Sequence, residues 1–272
     1  MTARLRPWSA TPYDDIAAAF SVRHVMTHIE NALCVATNES VTTATEQLAS
    51  DGFDYAPVTE AGQVVGVFQV DGGDSEPGRC VVDVLQRLTP DNTVDADAPL
   101  EDLPGWLCEC QFQIVFSRKR VVGLVNAADL NKQPMRSLLF LHIADAERKL
   151  AELIRREYPW NDDWFGMLSD KRRERIAETR EEIEKGDVDI DLLEFAYFTD
   201  LVTVISKSTI NDRVKPLLNW SLAKHGGGIG ELRNSACHPV RPVLRTVAEL
   251  PGVVERFGRL RDLIHAADKL LG

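Results

Sequence analysis

The stretches Val64-Val65-Gly66-Val67-Phe68 and Val121-Val122-Gly123-Leu124-Val125 decide the fold of the first half of this 272-residue chain. Each is a short apolar run that follows a turn, at 60–62 in one case and at 117–120 in the other. Before each turn lies another apolar run, Tyr55-Ala56-Pro57-Val58 in the first case and 112–116 in the second. Short apolar runs bounded by turn residues are typical of β-strands. The sequence therefore predicts the same strand–turn–strand unit twice, about sixty residues apart.

A helix is predicted in front of each of these strand pairs. Ala44 and Leu48 lie four residues apart, and Ser40 or Thr42 can cap a helix that contains them. Residues 94–107 offer a strand and then a helical stretch, with Pro99 near the start of the helix and Pro104 breaking any longer one. We expect two βαββα repeats that form one pseudo-symmetric α/β domain over 20–134, after a lead-in of residues 1–19.

The composition favours a globular protein of the cytosol with two domains. Hydrophobic residues make up 44% and charged residues 27% of the chain, which is ordinary for a globular protein. No apolar run approaches the roughly 20 residues of a membrane span, so no membrane partner is expected. Residues 1–12 lack the apolar core of a secretory signal. The five scattered cysteines indicate a reducing compartment, and Cys108-Glu109-Cys110 has no second pair at metal-ligand spacing.

The second half, residues 135–272, is predicted to be an all-α bundle that begins after Pro134. Two apolar seams have the helical spacing of three and four residues. Their members are Leu139, Ile143, Ala146, Leu150 and Leu153 in one seam, and Val253, Phe257, Leu260, Ile264, Ala267 and Leu271 in the other. We further expect a helix from Asp191 to about Ile205, a helix over 211–222, a glycine-rich linker at 225–228, and a last helix starting near Pro251.

The charge is unevenly distributed along the chain. The net charge is −11, and residues 1–134 hold 9 Lys and Arg against 19 Asp and Glu. Residues 205–245, in contrast, hold seven basic side chains against only Asp212 and Glu231. A local basic patch can hold a polyanion even on an acidic protein. Composition alone does not separate such a patch from a chance run of solvated charge.

Within the basic segment, Arg233-Asn234-Ser235-Ala236-Cys237-His238 places a cation, a carboxamide and an imidazole within about one and a half helical turns. Positions five apart on a helix point about 140° apart, so Arg233 and His238 cannot face one target on an intact helix. Pro239 disfavours helical geometry at the residue before it, and we therefore expect the helix to end near Cys237. His238 could then swing back toward Arg233 and Asn234.

These three side chains could together cleave RNA. An imidazole can remove a proton from a ribose hydroxyl at neutral pH, and an arginine can clamp the phosphate and neutralise its developing charge. The chemistry requires no metal and no catalytic cofactor, and it leaves a 2′,3′-cyclic phosphate. The alternative is structural: Asn234 caps or bridges helices, Arg233 pairs with Glu231 or with an acid of another helix, and His238 caps a helix end.

The first half resembles a tandem pair of cystathionine-β-synthase (CBS) domains. The resemblance is carried by Val25-Met26-Thr27, by 55–58 and 64–67 in the first copy, and by 121–130 in the second. It implies a regulatory adenine nucleotide (AMP, ADP or ATP), whose ribose Asp129 holds, with Asn126 at a position where threonine is usual. The alternative for Asp129 is an ordinary helix cap. The first copy has Gln69 and Gly72 at these two positions, with Asp71 one residue out of register, so we expect at most one nucleotide site.

The second half resembles the HEPN family of helical domains through its Arg-x4-His motif. The resemblance implies a metal-independent ribonuclease with Arg233 and His238 as catalytic residues and Asn234 at the common polar position. It also implies a homodimer in which two motifs form one composite cleft. The basic residues assigned to RNA binding are Arg213, Lys224, Arg241 and Arg245.

The sequence thus predicts an α+β, multidomain, cytoplasmic protein with a regulatory and a catalytic part. Its predicted function is that of an endoribonuclease whose activity is set by an adenine nucleotide. The alternative is a non-catalytic, nucleotide-sensing adaptor whose helical domain binds protein or nucleic acid. A third reading is a toxin that a protein partner neutralises, with the same chemistry.

Overall fold

The computed structural model describes residues 12–70, 78–159, 163–184, 191–238 and 240–272. Over these residues the chain divides into two compact units. The sheet unit comprises residues 18–135 and 244–251, and the helical unit comprises 136–243, 252–272 and the described residues up to 17. The predicted α+β, multidomain class is confirmed.

The sheet unit contains eight strands among its described residues, four short and four of six or seven residues. The strands are β1 (Thr27–His28), β2 (Val35–Ala36), β3 (Tyr55–Glu60), β4 (Gln63–Gln69), β5 (Gln86–Arg87), β6 (Thr93–Asp95), β7 (Phe112–Ser117) and β8 (Arg120–Asn126). Its α-helices are α2 (Val41–Asp51) and α3 (Leu103–Glu109), whereas α1 (Pro12–Ala18) lies almost entirely in the helical unit.

The strands form two four-stranded sheets with the same internal plan. One sheet has the order β2-β3-β4-β5 and the other the order β1-β8-β7-β6. In each, a short strand runs parallel to the first member of a long antiparallel pair, as β2 does to β3 and β6 to β7. The long pairs even share a register shift, at Val58/Thr59 and at Val115/Phe116. The predicted internal repeat is therefore confirmed in the strand order.

Matching glycines in β4 and β8 allow an edge strand to approach closely. A Cβ atom built on Gly66 would lie 2.5 Å from the carbonyl oxygen of Gln86 in β5. A Cβ atom on Gly123 would lie 2.5 Å from the carbonyl oxygen of Thr27 in β1. Any side chain at either position would thus collide with backbone. These glycines make room for the outer strand in both sheets.

Two details of the predicted repeats are wrong. Pro104 lies in the first turn of α3 and does not interrupt that helix. Backbone N–H groups in the first turn have no acceptor within the helix, so the N–H that proline lacks costs no hydrogen bond there. After β8 the chain forms a 3-10 helix, Ala127–Asn131, before the next α-helix begins. Asn131 then exchanges two hydrogen bonds with the backbone of Leu244, at 2.8 and 3.0 Å, and so ties residues 244–251 to the sheet unit.

The second half contains six α-helices among its described residues. They are α4 (Gln133–Glu157), α5 (Asp170–Glu184), α6 (Phe198–Lys207), α7 (Ile210–Val214), α8 (Leu222–Cys237) and α9 (Leu250–Leu271). Both predicted seams face the core: the five residues of the α4 seam are buried, and in α9 only the last of six, Leu271, is half-buried. Within the described residues, no helix is both long and apolar enough to span a bilayer.

Three predictions about the second half are wrong. Residues 225–228 are not a linker but lie inside α8, where Gly226 is buried against Val202 of α6. The predicted helix over 211–222 is instead α7 followed by the 3-10 helix Lys215–Leu217, and the chain leaves helical geometry before α8. Asp191 caps the short 3-10 helix Leu192–Phe195, and a separate helix starts at Phe198.

Candidate functional sites

The first candidate site lies at the C-terminal end of α8. The helix ends at Cys237, as predicted, and His238 has an extended backbone with φ −105° and ψ 105°. The backbone N–H of His238 still donates to the carbonyl of Asn234 at 3.1 Å. Pro239, from which the helix end was predicted, lies outside the described residues. His238 is thus the first residue that leaves the helix, and its side chain is exposed.

The three motif residues have different surroundings. Asn234 and His238 are exposed, whereas the side chain of Arg233 is only 33% exposed. Its Nε atom lies 3.6 Å from Oε1 of Glu147 on α4. The pairing of Arg233 with an acid of another helix is therefore confirmed, while Glu231 pairs with Arg256 at 3.1 Å. Among the described residues, no hydrogen bond or ion pair joins Arg233 to His238.

Glu147, Arg233 and Cys237 form one electrostatic cluster. Burial raises the pKa of Glu147, and Arg233 and the backbone N–H of Phe198 offset part of that rise. Burial also raises the pKa of the Cys237 thiol, which Arg233 lowers and Glu147 raises further. In the folded helical unit, the Arg233 cation therefore lowers the pKa of two neighbouring groups, Glu147 and Cys237.

Arg136, which the sequence analysis did not single out, holds the end of α8 in place. Its side chain is buried, with a residue exposure of 6%. Nη1 donates to the carbonyls of Ser235 at 2.7 Å and His238 at 3.2 Å, and Nη2 donates to that of Arg241 at 2.6 Å. A cation at this place satisfies the carbonyl of Ser235 in the last turn of α8, binds two carbonyls just beyond the helix, and complements the negative end of the helix dipole. Arg136 thereby fixes the backbone on both sides of His238.

The predicted RNA-binding residues do not form one group of unpaired cations. Arg213 pairs with Glu157, and Arg245 pairs with Glu249 at 2.7 Å. Arg245 belongs to the sheet unit, whereas the other three belong to the helical unit. Lys224 and Arg241 are exposed. With Arg233, three of the seven basic residues of the segment 205–245 thus have an acidic partner among the residues that the structure describes.

The second candidate site follows β8 in the sheet unit. Asn126 caps the 3-10 helix, and its side-chain oxygen accepts a hydrogen bond from the N–H of Ala128 at 2.9 Å. Asp129 is buried and accepts from the N–H of Asn126 at 2.7 Å through Oδ2. The helix cap is therefore Asn126, and Asp129 supports it from the third position as the carboxylate of a capping box.

Lys132 completes the surroundings of Asp129. Its Nζ lies 2.7 Å from Oδ1 of Asp129 and donates to the carbonyl of Val25 at 2.6 Å. A longer contact of 3.4 Å reaches Oγ1 of Thr27 at the start of β1. Burial raises the pKa of Asp129, an effect that the hydrogen bonds and charge of Lys132 and the N–H of Asn126 oppose. No sequence signal pointed to Lys132, because a lysine after a helical turn is ordinarily solvated.

The equivalent place in the first repeat is only partly described. The side chain of Gln69, which takes the position of Asn126, accepts a hydrogen bond from Gln86 at 3.0 Å. Asp71 and Gly72 lie outside the described residues. Within the described parts of the chain, no three His, Cys, Asp or Glu side chains are grouped so that they could hold a metal ion.

Comparison with known proteins shows that the chain is similar to solved structures of CBS domains. No protein-family model and no curated protein sequence matches the chain. CBSX2 from Arabidopsis thaliana is 20% identical over 44% of this chain and 94% of its own, with a TM-score of 0.37. CBSX2 in complex with AMP gives the same identity and TM-score over 97% of its length. The CBS domain of a bacterial CNNM/CorC family Mg²⁺ transporter in complex with ATP is 16% identical over 43% of this chain and 89% of its own, with a TM-score of 0.37.

Proposed function

We propose that this chain is a metal-independent endoribonuclease whose activity responds to an adenine nucleotide. The helical unit cuts RNA, and the sheet unit, as a pair of CBS domains, binds the nucleotide. The end of α8 carries the proposal: the exposed imidazole of His238 leaves the helix four residues after an exposed carboxamide and five residues after a guanidinium that is one-third exposed. This is the residue set that phosphodiester cleavage by a neighbouring hydroxyl needs.

In the proposed reaction, His238 removes the proton from the ribose 2′-hydroxyl. The resulting oxygen attacks the adjacent phosphorus, and the bond from phosphorus to the 5′-oxygen of the next nucleotide breaks. That oxygen leaves with a proton from a second imidazole, and the products are a 2′,3′-cyclic phosphate and a 5′-hydroxyl. We place the second imidazole on a second copy of the chain, so the proposal includes a homodimer.

Arg233 neutralises the charge that develops on the phosphate oxygens. To do so, its guanidinium has to exchange Glu147 for the phosphate. The 3.6 Å separation and the partial exposure of both side chains make that exchange inexpensive, because ion pairs of this kind contribute only about 0–1 kcal/mol. Of the four residues assigned to RNA binding, Lys224 and Arg241 are exposed and form no ion pair with another described residue, so they can bind the RNA backbone.

The nucleotide-binding part of the proposal rests on Asn126 and Asp129. Asn126 is the last residue of β8 and Asp129 follows three residues later, next to the strand pair β1 and β8. A carboxylate at this place can accept hydrogen bonds from ribose hydroxyls. Isothermal titration of the full chain with AMP and with ATP tests this part by itself, and Asp129→Asn should abolish the heat of binding.

A second candidate function is that of a non-catalytic adaptor that senses the nucleotide. The ion pairs of Arg213, Arg233 and Arg245 favour it, because they neutralise much of the basic segment. In that case Arg233 would bind a phosphate or a protein carboxylate, and no cleavage product would form.

Incubation of the purified protein with RNA in excess chelator, with and without AMP or ATP, separates the two candidates. Cleavage that yields cyclic-phosphate ends and is lost in both Arg233→Ala and His238→Ala supports the ribonuclease. The matched controls are His265→Ala and Arg175→Ala, which change exposed residues of the same unit and should leave cleavage intact. Absence of cleavage in every condition, or cleavage that survives both site variants, rejects it.

A further inference from the structure

Lys132 binds hydrogen-bond acceptors in the sheet unit that a nucleotide could also use. Its ammonium donates to three acceptors, which are the carboxylate of Asp129, the carbonyl of Val25 and, less closely, the hydroxyl of Thr27. These acceptors come from both ends of the sheet unit's sequence, at the start of β1 and after β8. The ammonium thus bridges residues 25–27 and residues 129–132, which lie next to each other in the sheet unit.

Both oxygens of the Asp129 carboxylate are occupied in this structure. Oδ2 accepts from the N–H of Asn126 at 2.7 Å, and Oδ1 lies 2.7 Å from Nζ of Lys132. The side chain of Asp129 is 9% exposed, whereas that of Lys132 is 41% exposed. Each oxygen can accept more than one hydrogen bond, so a ribose hydroxyl would compete directly with Lys132 for Oδ1 and for the small exposed part of the carboxylate.

The acceptors around the ammonium match the donors of a nucleoside. A ribose offers two hydroxyl donors and an adenine offers an amino group, and each can replace an N–H of lysine at a carboxylate, carbonyl or hydroxyl oxygen. Lysine is also suited to leave, since its stem is flexible and its head group is well solvated once released. The exposed part of the side chain gives it a path into solvent.

We propose that Lys132 is a built-in competitor that closes the nucleotide site and is displaced when an adenine nucleotide binds. This inference rests on the proposed nucleotide function and adds the residue that regulates the site. The affinity of the site is then lowered by the strength of the lysine's own contacts, and it rises when the lysine is removed.

Isothermal titration with AMP compares the wild-type chain with Lys132→Gln and Lys119→Gln. Lys119 is an exposed lysine in the turn between β7 and β8, so its variant reports the effect of charge alone. Loss of a positive charge weakens the binding of a phosphate, whereas loss of the competitor strengthens it. We expect AMP to bind Lys132→Gln about fivefold more tightly than wild type, which is the scale of one partly exposed ion pair. The Lys119 variant should bind no more tightly than wild type.

Amine labelling of the wild-type chain provides a test that needs no substitution at Lys132. Mass spectrometry should show faster labelling of Lys132 at saturating AMP than without it, with Lys119 unchanged. Binding to wild type with equal or weaker binding to Lys132→Gln, or with unchanged or slower labelling of Lys132, overturns the inference and leaves the nucleotide function standing. No AMP binding by any of the three proteins overturns both.

Discussion

Replacement of Arg136 by methionine should destabilise the helical unit and loosen the backbone around His238. Methionine keeps an apolar stem of similar length but removes the three hydrogen bonds to Ser235, His238 and Arg241. The carbonyl of half-buried Ser235 would lose a charged donor, which costs about 1–3 kcal/mol. His238 and Arg241 are exposed, so water can replace the donor there at about 0.5 kcal/mol each. The expected loss in the free energy of unfolding is about 2–4 kcal/mol.

Urea denaturation followed by circular dichroism measures this loss, and hydrogen–deuterium exchange locates it. Arg241→Met is the matched control, because the same chemical change on an exposed side chain should alter stability by less than about 0.5 kcal/mol. Amides at the end of α8 should exchange faster in Arg136→Met and at the wild-type rate in Arg241→Met. Equal stability of the two variants, within about 0.5 kcal/mol, would refute the role given to Arg136.

Two further predictions concern α8. Gly227→Ala should stabilise the protein by about 0.5–1 kcal/mol, because the new Cβ atom meets open space. Gly226→Ala should be less stable than Gly227→Ala by about 1–3 kcal/mol, because its Cβ atom would lie 2.5 Å from the side chain of Val202 in α6. Thermal unfolding of the pair checks this, and equal melting temperatures would contradict it. Because Glu147 raises and Arg233 lowers the pKa of Cys237, alkylation of that thiol at about pH 8 should be about two- to fivefold faster in Glu147→Gln and slower in Arg233→Met. Peptide mass spectrometry measures the alkylation rate of Cys237. A rate that changes in the same direction in both variants would contradict the opposite effects of Glu147 and Arg233 on this thiol.

Local patterns predicted those parts of the fold that local interactions decide. The runs at 55–58 and 64–68 became β3 and β4, and the helical seam beginning at Leu139 became the buried face of α4. The prediction of a linker at 225–228 was wrong because tertiary packing, and not a local interaction, decides the structure there. Glycines disfavour a helix in isolation, but close packing of Gly226 on α6 overrides that preference, and packing is not visible in a local pattern.

The candidate sites were predictable only where a residue constrains its own neighbours. Proline restricts the residue before it, so the end of α8 at Cys237 could be predicted from Pro239. Arg136 and Lys132 could not, since their functions depend on carbonyls more than ninety residues away in sequence. A charged residue at such a distance gives no periodic signal, and its burial follows from tertiary structure alone.

The pairing of β1 with β8 sets the order in which the sheet unit can be completed. The sheet β2-β3-β4-β5 draws on residues 35–87 only, whereas Thr27 of β1 has to find Leu124 of β8. Contacts between distant residues close slowly, because the loop's entropy is lost before the contact forms. We therefore expect the contacts of Lys132 with Val25, Thr27 and Asp129 to be among the last to form as the chain folds. A ligand bound there would select the finished sheet unit over every partly folded form.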